Sequence, residues 1–479
     1  MKKILLGLFT VGAALSFTAC SDDRLDLEPV IEDVYTGTIQ DEKQMSWHVN
    51  QIYNSLAFGD NFGAAILLYG DMISENVFMS ASNTSGYHQT LNNISWSGES
   101  GFGVWRGLYD VIQKANIVIL DNNVPVTDKV VSYKGEAKIA RGMAYFYLLQ
   151  LYASNPTSGQ YQEVGVPLVL DFYNPNHFPE RSTVAQGYDQ VIKDLTEGIA
   201  EMNANSRTKK TYLSPTAGRL LLAKAYLTRG QAGDYDKAIQ YAEETINLAP
   251  ASFELLKNED VKNYFTSTKS DLYENRPETV FEIEQGPKFT LDINAHLGSF
   301  YSVQGGHRGL MVRKWVADLY DSSDVRLKET LSTGGAPVND DPKGVWTKKY
   351  PRAMDGQNYH ANVKVLRLSE ALFVKMEALA KKGDNTQALA LVNDFAQERG
   401  ATSTYSGDAL TAVLLEKQKE FLAEGHRFFD LKRNNLGFDK KTNCYQNCSF
   451  DANSRYMVFP ISLSERLLNT SLSQHPLWQ

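Results

Sequence analysis

Apolar residues recur at helical spacing over most of the chain. Trp47 to Leu56 and Val104 to Leu120 each carry such a stripe, formed in the second by Leu108, Val111, Ile112, Ala115 and Ile119. Glu136 to Tyr152 is strongly helical, with a stripe rich in Tyr and Leu. Thr183 is placed to cap a further helix whose apolar face holds Tyr188, Ile192, Leu195 and Ile199. Helical spacing then dominates from Ser214 to Leu248, from Leu366 to Gln397 and from Leu410 to Leu431. Trp47, Trp105 and Trp315 fall on these stripes and are expected in the core, whereas Trp478 has no pattern around it.

Two of these stretches have the pattern of tetratricopeptide-like hairpins. In the first, Leu222, Ala223 and Tyr226 precede a turn through Gly230 to Asp234, and Ala238, Ala242 and Pro250 follow at the spacing of small interface residues and a terminating proline. In the second, Ser369 to Arg399, Glu377-Ala378-Leu379-Ala380 precedes Gly383-Asp384, and Ala388, Val392 and Phe395 follow. Alanine at such crossings lets two helices approach closely. The expected architecture is therefore mainly α, a superhelical scaffold of helical hairpins with minor β.

Two segments interrupt the helical pattern. Residues 58–103 are rich in Gly, Asn, Ser and aromatics, and residues 281–361 mix short strand-like runs with turns such as Gly305-Gly306 and Gly334-Gly335. Irregular stretches this long inside a compact domain usually carry function, so a ligand site is expected there.

The first 19 residues read as a leader: Lys2 and Lys3, an apolar run from Ile4 to Leu15, then small and polar residues up to Ala19-Cys20. The run is too short to span a bilayer comfortably, and a cysteine at that boundary resembles a bacterial lipobox, in which the Cys20 thiol is acylated and anchors the mature chain to a membrane. Removing residues 1–19 takes two lysines and moves the formal charge from −8 to −10. Acidity on that scale, with no long basic stretch, argues against a nucleic-acid partner. Cys444 and Cys448 have no neighbouring His and do not match a zinc site; a local disulfide and two free thiols both fit them. No HExxH, GxSxG or P-loop motif is present, and no catalytic residue, metal site or cofactor is expected. Asp71 and Glu75 are expected to be solvated surface carboxylates.

Several motifs, in order, resemble those of the SusD/RagB family. Leu25-Asp26-Leu27-Glu28-Pro29 is similar to its N-terminal tail; Trp105 to Tyr109 with Ala115-Asn116, and Glu136-Ala137 to Arg141-Gly142-Met143-Ala144-Tyr145-Phe146, are similar to its first helical motifs. Gly165-Val166-Pro167-Leu168, Leu366-Arg367-Leu368-Ser369-Glu370, Glu424-Gly425-His426-Arg427 to Arg433, and Phe459-Pro460-Ile461-Ser462 with Asn469 follow, with Gly142, Ser462 and Thr470 departing from the usual residues. Close sequence spacing suggests local contacts within these motifs, between Glu136 and Arg141, Arg367 and Glu370, and Arg427 and Asp430. Ser21-Asp22-Asp23 resembles the export signal that Bacteroidetes use for surface lipoproteins.

The resemblance implies a leader at 1–19, a lipidated tail at 20–40 and one domain at 41–479, with insertions at about 58–103 and 281–361. It also implies an outer-membrane, lipid-anchored protein that binds a glycan or oligosaccharide and passes it to a SusC-like TonB-dependent barrel, without catalysis. A peptide- or protein-binding surface protein is the alternative, and a surface glycoside hydrolase is a third reading. Sugar rings present apolar C–H faces ringed by hydroxyls, so a site needs exposed aromatic platforms beside hydrogen-bonding side chains. The insertions supply Tyr87, His88, Asn92, Asn93 and Trp96 in the first and Tyr301, Trp346 and Tyr359 in the second as candidate ligand-binding residues, with Trp96 first among them because its Gly/Ser surroundings make an indole hard to bury.

Overall fold

The computed structural model describes residues 39–83, 85–202, 207–287 and 289–479. The expected leader 1–19, Cys20 and the tail as far as Thr38 lie outside the described residues, and Ile39–Gln479 form one compact unit. Helix α1 (Glu42–Ala57) starts where the Asp41 carboxylate accepts a hydrogen bond from Gln44 N at 2.7 Å. Its buried stripe is Met45, Val49, Ile52 and Leu56. Trp47 stands two residues from Met45, about 200° round the helix, so it faces outward and is 53% exposed, contrary to its expected core placement. Trp105 is buried as expected, and Trp315 is half-buried with its indole donating to the Lys440 carbonyl at 3.2 Å.

Helix α2 (Ala65–Met72) and strand β1 (Val77–Met79) precede α3 (Gly103–Leu120) and α4 (Asp128–Tyr152). Helix α4 begins ahead of the expected Glu136 because Thr127 caps it, accepting from Val130 N at 3.2 Å. Helix α5 (Val184–Glu201) opens on a reciprocal capping box between Thr183 and Gln186. The two expected hairpins are α6 (Pro215–Arg229) with α7 (Asp234–Asn247) and α8 (Ser369–Lys382) with α9 (Asn385–Glu398). Ala238, Ala242 and Ala388 are fully buried, consistent with small residues where helices meet. The hairpins adjoin through α7 and α8, where Lys375 pairs with Glu243 at 2.8 Å. Helices α10 (Ala409–Glu420) and α11 (Arg427–Arg433) complete the scaffold.

All sheets among the described residues are two-stranded. Strand β2 (Thr279–Ile283) pairs antiparallel with β4 (Val363–Arg367), and β1 with β3 (Leu310–Val312). Leu366 and Arg367 therefore end a strand and do not open a helix. The fold is mainly α with tetratricopeptide-like hairpins and minor β, as the pattern predicts. Cys444 and Cys448 form a disulfide.

The motif residues are structural, and most of their side-chain partners are distant in sequence. Arg367 reaches Glu420 at 2.6 Å and Glu424 at 3.0 Å, and Glu420 also receives Arg326 at 3.1 Å and Arg399 at 3.3 Å. Lys349 closes on Glu424 at 2.6 Å. Glu136 pairs with Arg207, Arg141 with Asp194 at 2.7 Å, Arg427 with Glu75 at 2.7 Å, and Asp430 with Lys417 and Arg433, each at 2.7 Å. Glu370 takes the Arg367 backbone N–H at 2.8 Å while its carboxylate binds Lys224 at 2.5 Å. The expected side-chain pairs Glu136–Arg141, Arg367–Glu370 and Arg427–Asp430 are thus replaced by cross-links to other parts of the chain, because these side chains are buried or half-buried against segments distant in sequence.

Asp71 and Glu75 are likewise buried, not solvated. Asp71 accepts from Gly425 N at 2.5 Å and Asn76 Nδ2 at 2.7 Å, and burial pushes its carboxyl up to about 7. The contact demands glycine: Gly425 has φ +80, and a Cβ on Gly70 would lie 1.8 Å from the Gly425 carbonyl oxygen.

Burial alone would push the Glu420 carboxyl up, but Arg399, Arg367 and Arg326 outweigh it and hold the group well below the usual carboxylate range. A depressed folded-state value means that this stabilisation is complete at neutral pH and is lost as pH falls through that value. Glu420→Gln leaves buried guanidinium charge uncompensated, so urea denaturation at pH 7 should show a loss of about 3–5 kcal/mol, shrinking in acid. A loss below about 1 kcal/mol at pH 7 would contradict this assignment.

Candidate functional site

The two insertions are joined edge to edge. In the β1–β3 ladder Val77 faces Val312 and Met79 faces Leu310, and Ser80 N donates to the Gly309 carbonyl at 2.8 Å one step beyond. Asp340, from the second insertion, accepts from Ser80 Oγ at 2.6 Å and from Ala81 N at 2.8 Å. Gly309 permits the approach: a Cβ there would come within 2.6 Å of both Asn83 Nδ2 and Met79 Sδ.

Beyond this seam each insertion contributes a tight loop. Asn83 Oδ1 accepts from Ser85 N at 3.0 Å and Ser85 Oγ at 2.6 Å, fixing the approach to Tyr87. Opposite, His307 N and Arg308 N both donate to the Ser299 carbonyl, at 3.1 and 2.8 Å, while Gly306 N donates to Tyr359 Oη at 3.0 Å. The His307 ring stacks on buried Phe300, with centroids 5.2 Å apart, and Tyr87 lies 4.6 Å from His307. His88 meets Phe300 edge-on at 4.6 Å. Burial lowers the His88 imidazole to about 4, so it is neutral at pH 7. Tyr87 and His307 thus form a ring ledge supported from below by Phe300.

Next to the ledge is a cleft of about 460 Å³ lined by Ser82, Asn83, Ser85, Val303, Gly306, His307, Arg308, Gly335, Pro337, Val338 and Trp346. Hydroxyl, amide and guanidinium groups face an apolar rim of Val303 and Val338, so a ligand with both apolar faces and many hydroxyls suits it. Among the described residues there is also a more apolar cleft of about 490 Å³ at Tyr53, Tyr212 and Phe289. A void of about 30 Å³ beside Lys224 and His426 has room for about one water molecule.

The expected site residues divide sharply. Tyr87 is 38% exposed, while His88 and Asn93 are half-buried. Trp96 is 3% exposed, which overturns its expected role as a surface platform. Its ring meets Phe102, Tyr456 and Phe459 at 5.3–5.7 Å. Gly98 makes the burial possible: a Cβ there would lie 2.9 Å from the Trp478 carbonyl oxygen, so the C-terminal segment closes over the indole. Asn92 is buried because it binds backbone, accepting from Met79 N at 2.8 Å. Tyr301 is buried because it stacks on Tyr350 with centroids 5.3 Å apart. Tyr359 is buried with its hydroxyl engaged by Gly306, and Trp346 is 2% exposed, packed with Phe78 and Met311 beneath the cleft. None of Trp96, Asn92, Tyr301, Trp346 or Tyr359 offers an exposed face. His307 and Arg308, which sequence reasoning missed, are marked only by the glycines at 305, 306 and 309 around them.

Trp96→Ala should therefore remove about 3–5 kcal/mol of stability in chemical denaturation. Tyr87→Ala should change it by less than about 1 kcal/mol. Equal losses in the two variants would show that Tyr87 is packed, not presented.

A family model described as "Starch-binding associating with outer membrane" matches residues 23–227, and one described as "SusD family" matches residues 307–478. The SusD-like protein P38 of Formosa agariphila is 24% identical over 402 residues, spanning 72% of this chain and 74% of that protein. The solved structure of a SusD superfamily protein from Bacteroides vulgatus superposes with a TM-score of 0.82 at 25% identity, covering 92% of this chain and all of that one. Surface glycan-binding protein A from Bacteroides fluxus superposes at 0.73 with 20% identity, covering 91% of this chain and all of that one. With family matches on both halves of the chain and a superfamily structure superposing over 92% of it, the chain belongs to the SusD/RagB family.

Proposed function

We propose that this protein captures an oligosaccharide at the outer surface of the outer membrane, held there by a lipid on Cys20, and passes it unaltered to a TonB-dependent barrel. The observation that carries the reading is the Tyr87–His307 ledge beside a cleft of Asn83, Ser82, Ser85 and Arg308, where the two insertions meet. Tyr87 and His307 offer ring faces to the C–H face of a sugar, and the polar groups exchange hydrogen bonds with its hydroxyls. Three further facts support it. A family description associates its members with the outer membrane, and a structural neighbour is a surface glycan-binding protein. Among the described residues no helix is long and apolar enough to cross a membrane, which suits a lipid anchor. The domain arrangement is the corresponding one: a leader at 1–19, a lipidated tail at 20–40 and one domain at 41–479.

Transfer without chemistry fits the lining. Glycoside hydrolysis in most enzymes uses two carboxyl groups flanking the scissile bond, and among the described residues none of the side chains lining the cleft is Asp or Glu. A second reading, capture of a peptide, draws support from the burial of Trp96, Tyr301 and Trp346, which leaves few exposed rings in the insertions.

Affinity electrophoresis of the purified protein through gels loaded with plant, host and microbial polysaccharides, with reducing-sugar release assayed in parallel, separates these readings. Retardation without sugar release is expected, weakened roughly tenfold by Tyr87→Ala or His307→Ala. Sugar release would favour hydrolysis, and retention of peptides but no polysaccharide would favour the second reading.

A further inference from the structure

Arg308 is an unusual residue in the cleft. It is exposed and lines the cavity, and among the described residues its guanidinium forms no hydrogen bond or ion pair. Its backbone has φ +30, in the region that L side chains rarely adopt, and is held there by Arg308 N donating to the Ser299 carbonyl at 2.8 Å. A neighbour would also have to shift for a Cβ at Gly306, which would lie 2.2 Å from Ile293 Cδ1, or at Gly309, 2.6 Å from Asn83 Nδ2. A non-glycine residue kept in a costly conformation, with its charge unpaired, points to a functional demand on that side chain.

The surrounding electrostatics agree. Two acids of the second insertion are turned to other tasks. Asp340 is buried and holds Ser80 and Ala81, and Asp292 acts on His307 from outside the lining. The His307 Nε2 faces Asn294 Oδ1 at 3.2 Å, which leaves Nδ1 toward other partners. Among the described residues, an unpaired cation borders a cavity with no carboxylate in its wall, on a chain of formal charge −8.

From this juxtaposition we infer that the captured glycan is anionic, with a carboxylate or sulfate group received by the Arg308 guanidinium, and that Arg308 determines specificity. The inference rests on the glycan-capture reading above and narrows it. A guanidinium presents paired N–H donors that match a carboxylate or sulfate in two parallel hydrogen bonds, a geometry that lysine cannot reproduce.

The test compares the purified protein in gels containing polygalacturonate, a sulfated galactan or a neutral galactan, and repeats each with Arg308→Gln and Arg308→Lys. The expected result is retardation by at least one acidic polymer and less by the neutral one. Arg308→Gln should weaken acidic binding by about tenfold or more, with Arg308→Lys intermediate and unfolding midpoints unchanged. Which acidic polymer is retained distinguishes carboxylate from sulfate. If a neutral polysaccharide is retained at least as strongly and Arg308→Gln changes nothing, the anionic inference fails while glycan capture stands. If no polysaccharide of any kind is retained, both fall.

Discussion

The buried ion network around Glu420 and Arg367 is the constraint on which the rest of the structure depends. One carboxylate at the end of α10 receives guanidinium groups from three separate parts of the chain: Arg326, Arg367 at the end of β4, and Arg399 beyond α9. Each charge is costly to bury alone, so the elements carrying them are stable only together. This ties the second helical hairpin to the β2–β4 ribbon and to the middle of the second insertion. The Glu424-Gly425 step extends the network: Glu424 binds Lys349 and Arg367, and Gly425 brings its backbone against α2, immediately before β1. The network thus ties residues of the second insertion, Arg326 and Lys349, and the helix before β1 to the same carboxylate step.

Much of this scaffold was legible in the sequence. The α1, α3, α5, α6, α7, α8 and α9 helices follow the apolar period, and the Thr183, Ser214 and Gly383 boundaries follow from capping chemistry. The partners of the motif charges were not legible. Closeness in sequence suggests local partners, but Arg427 meets Glu75 and Arg141 meets Asp194, pairings that exist only after distant segments have packed. Trp47 shows a second limit. A stripe drawn loosely through Trp47 and Val49 ignores that the two cannot share a face in a helix whose buried row is Met45, Val49 and Ile52.

The cleft was legible as a region and poorly legible as a set of residues. Composition located both insertions, since runs of Gly, Asn, Ser and aromatics break the helical period. Which rings in them stay exposed is decided by distant segments: the chain around Tyr456 and Trp478 covers Trp96, and Tyr350 covers Tyr301. Conversely, His307 and Arg308 are ordinary in sequence, and their distinction comes from a glycine-lined loop that holds one over Phe300 and the other in a left-handed backbone.

In the proposed mode of capture, ligand is held where the two insertions meet. Hydrogen–deuterium exchange of the purified protein, with and without an oligosaccharide cut from a polysaccharide that it retains, tests this most directly. New protection confined to residues 80–88 and 299–310 is the predicted result. Protection centred instead on Tyr53, Tyr212 and Phe289, or on the outer faces of the helical hairpins, would contradict it.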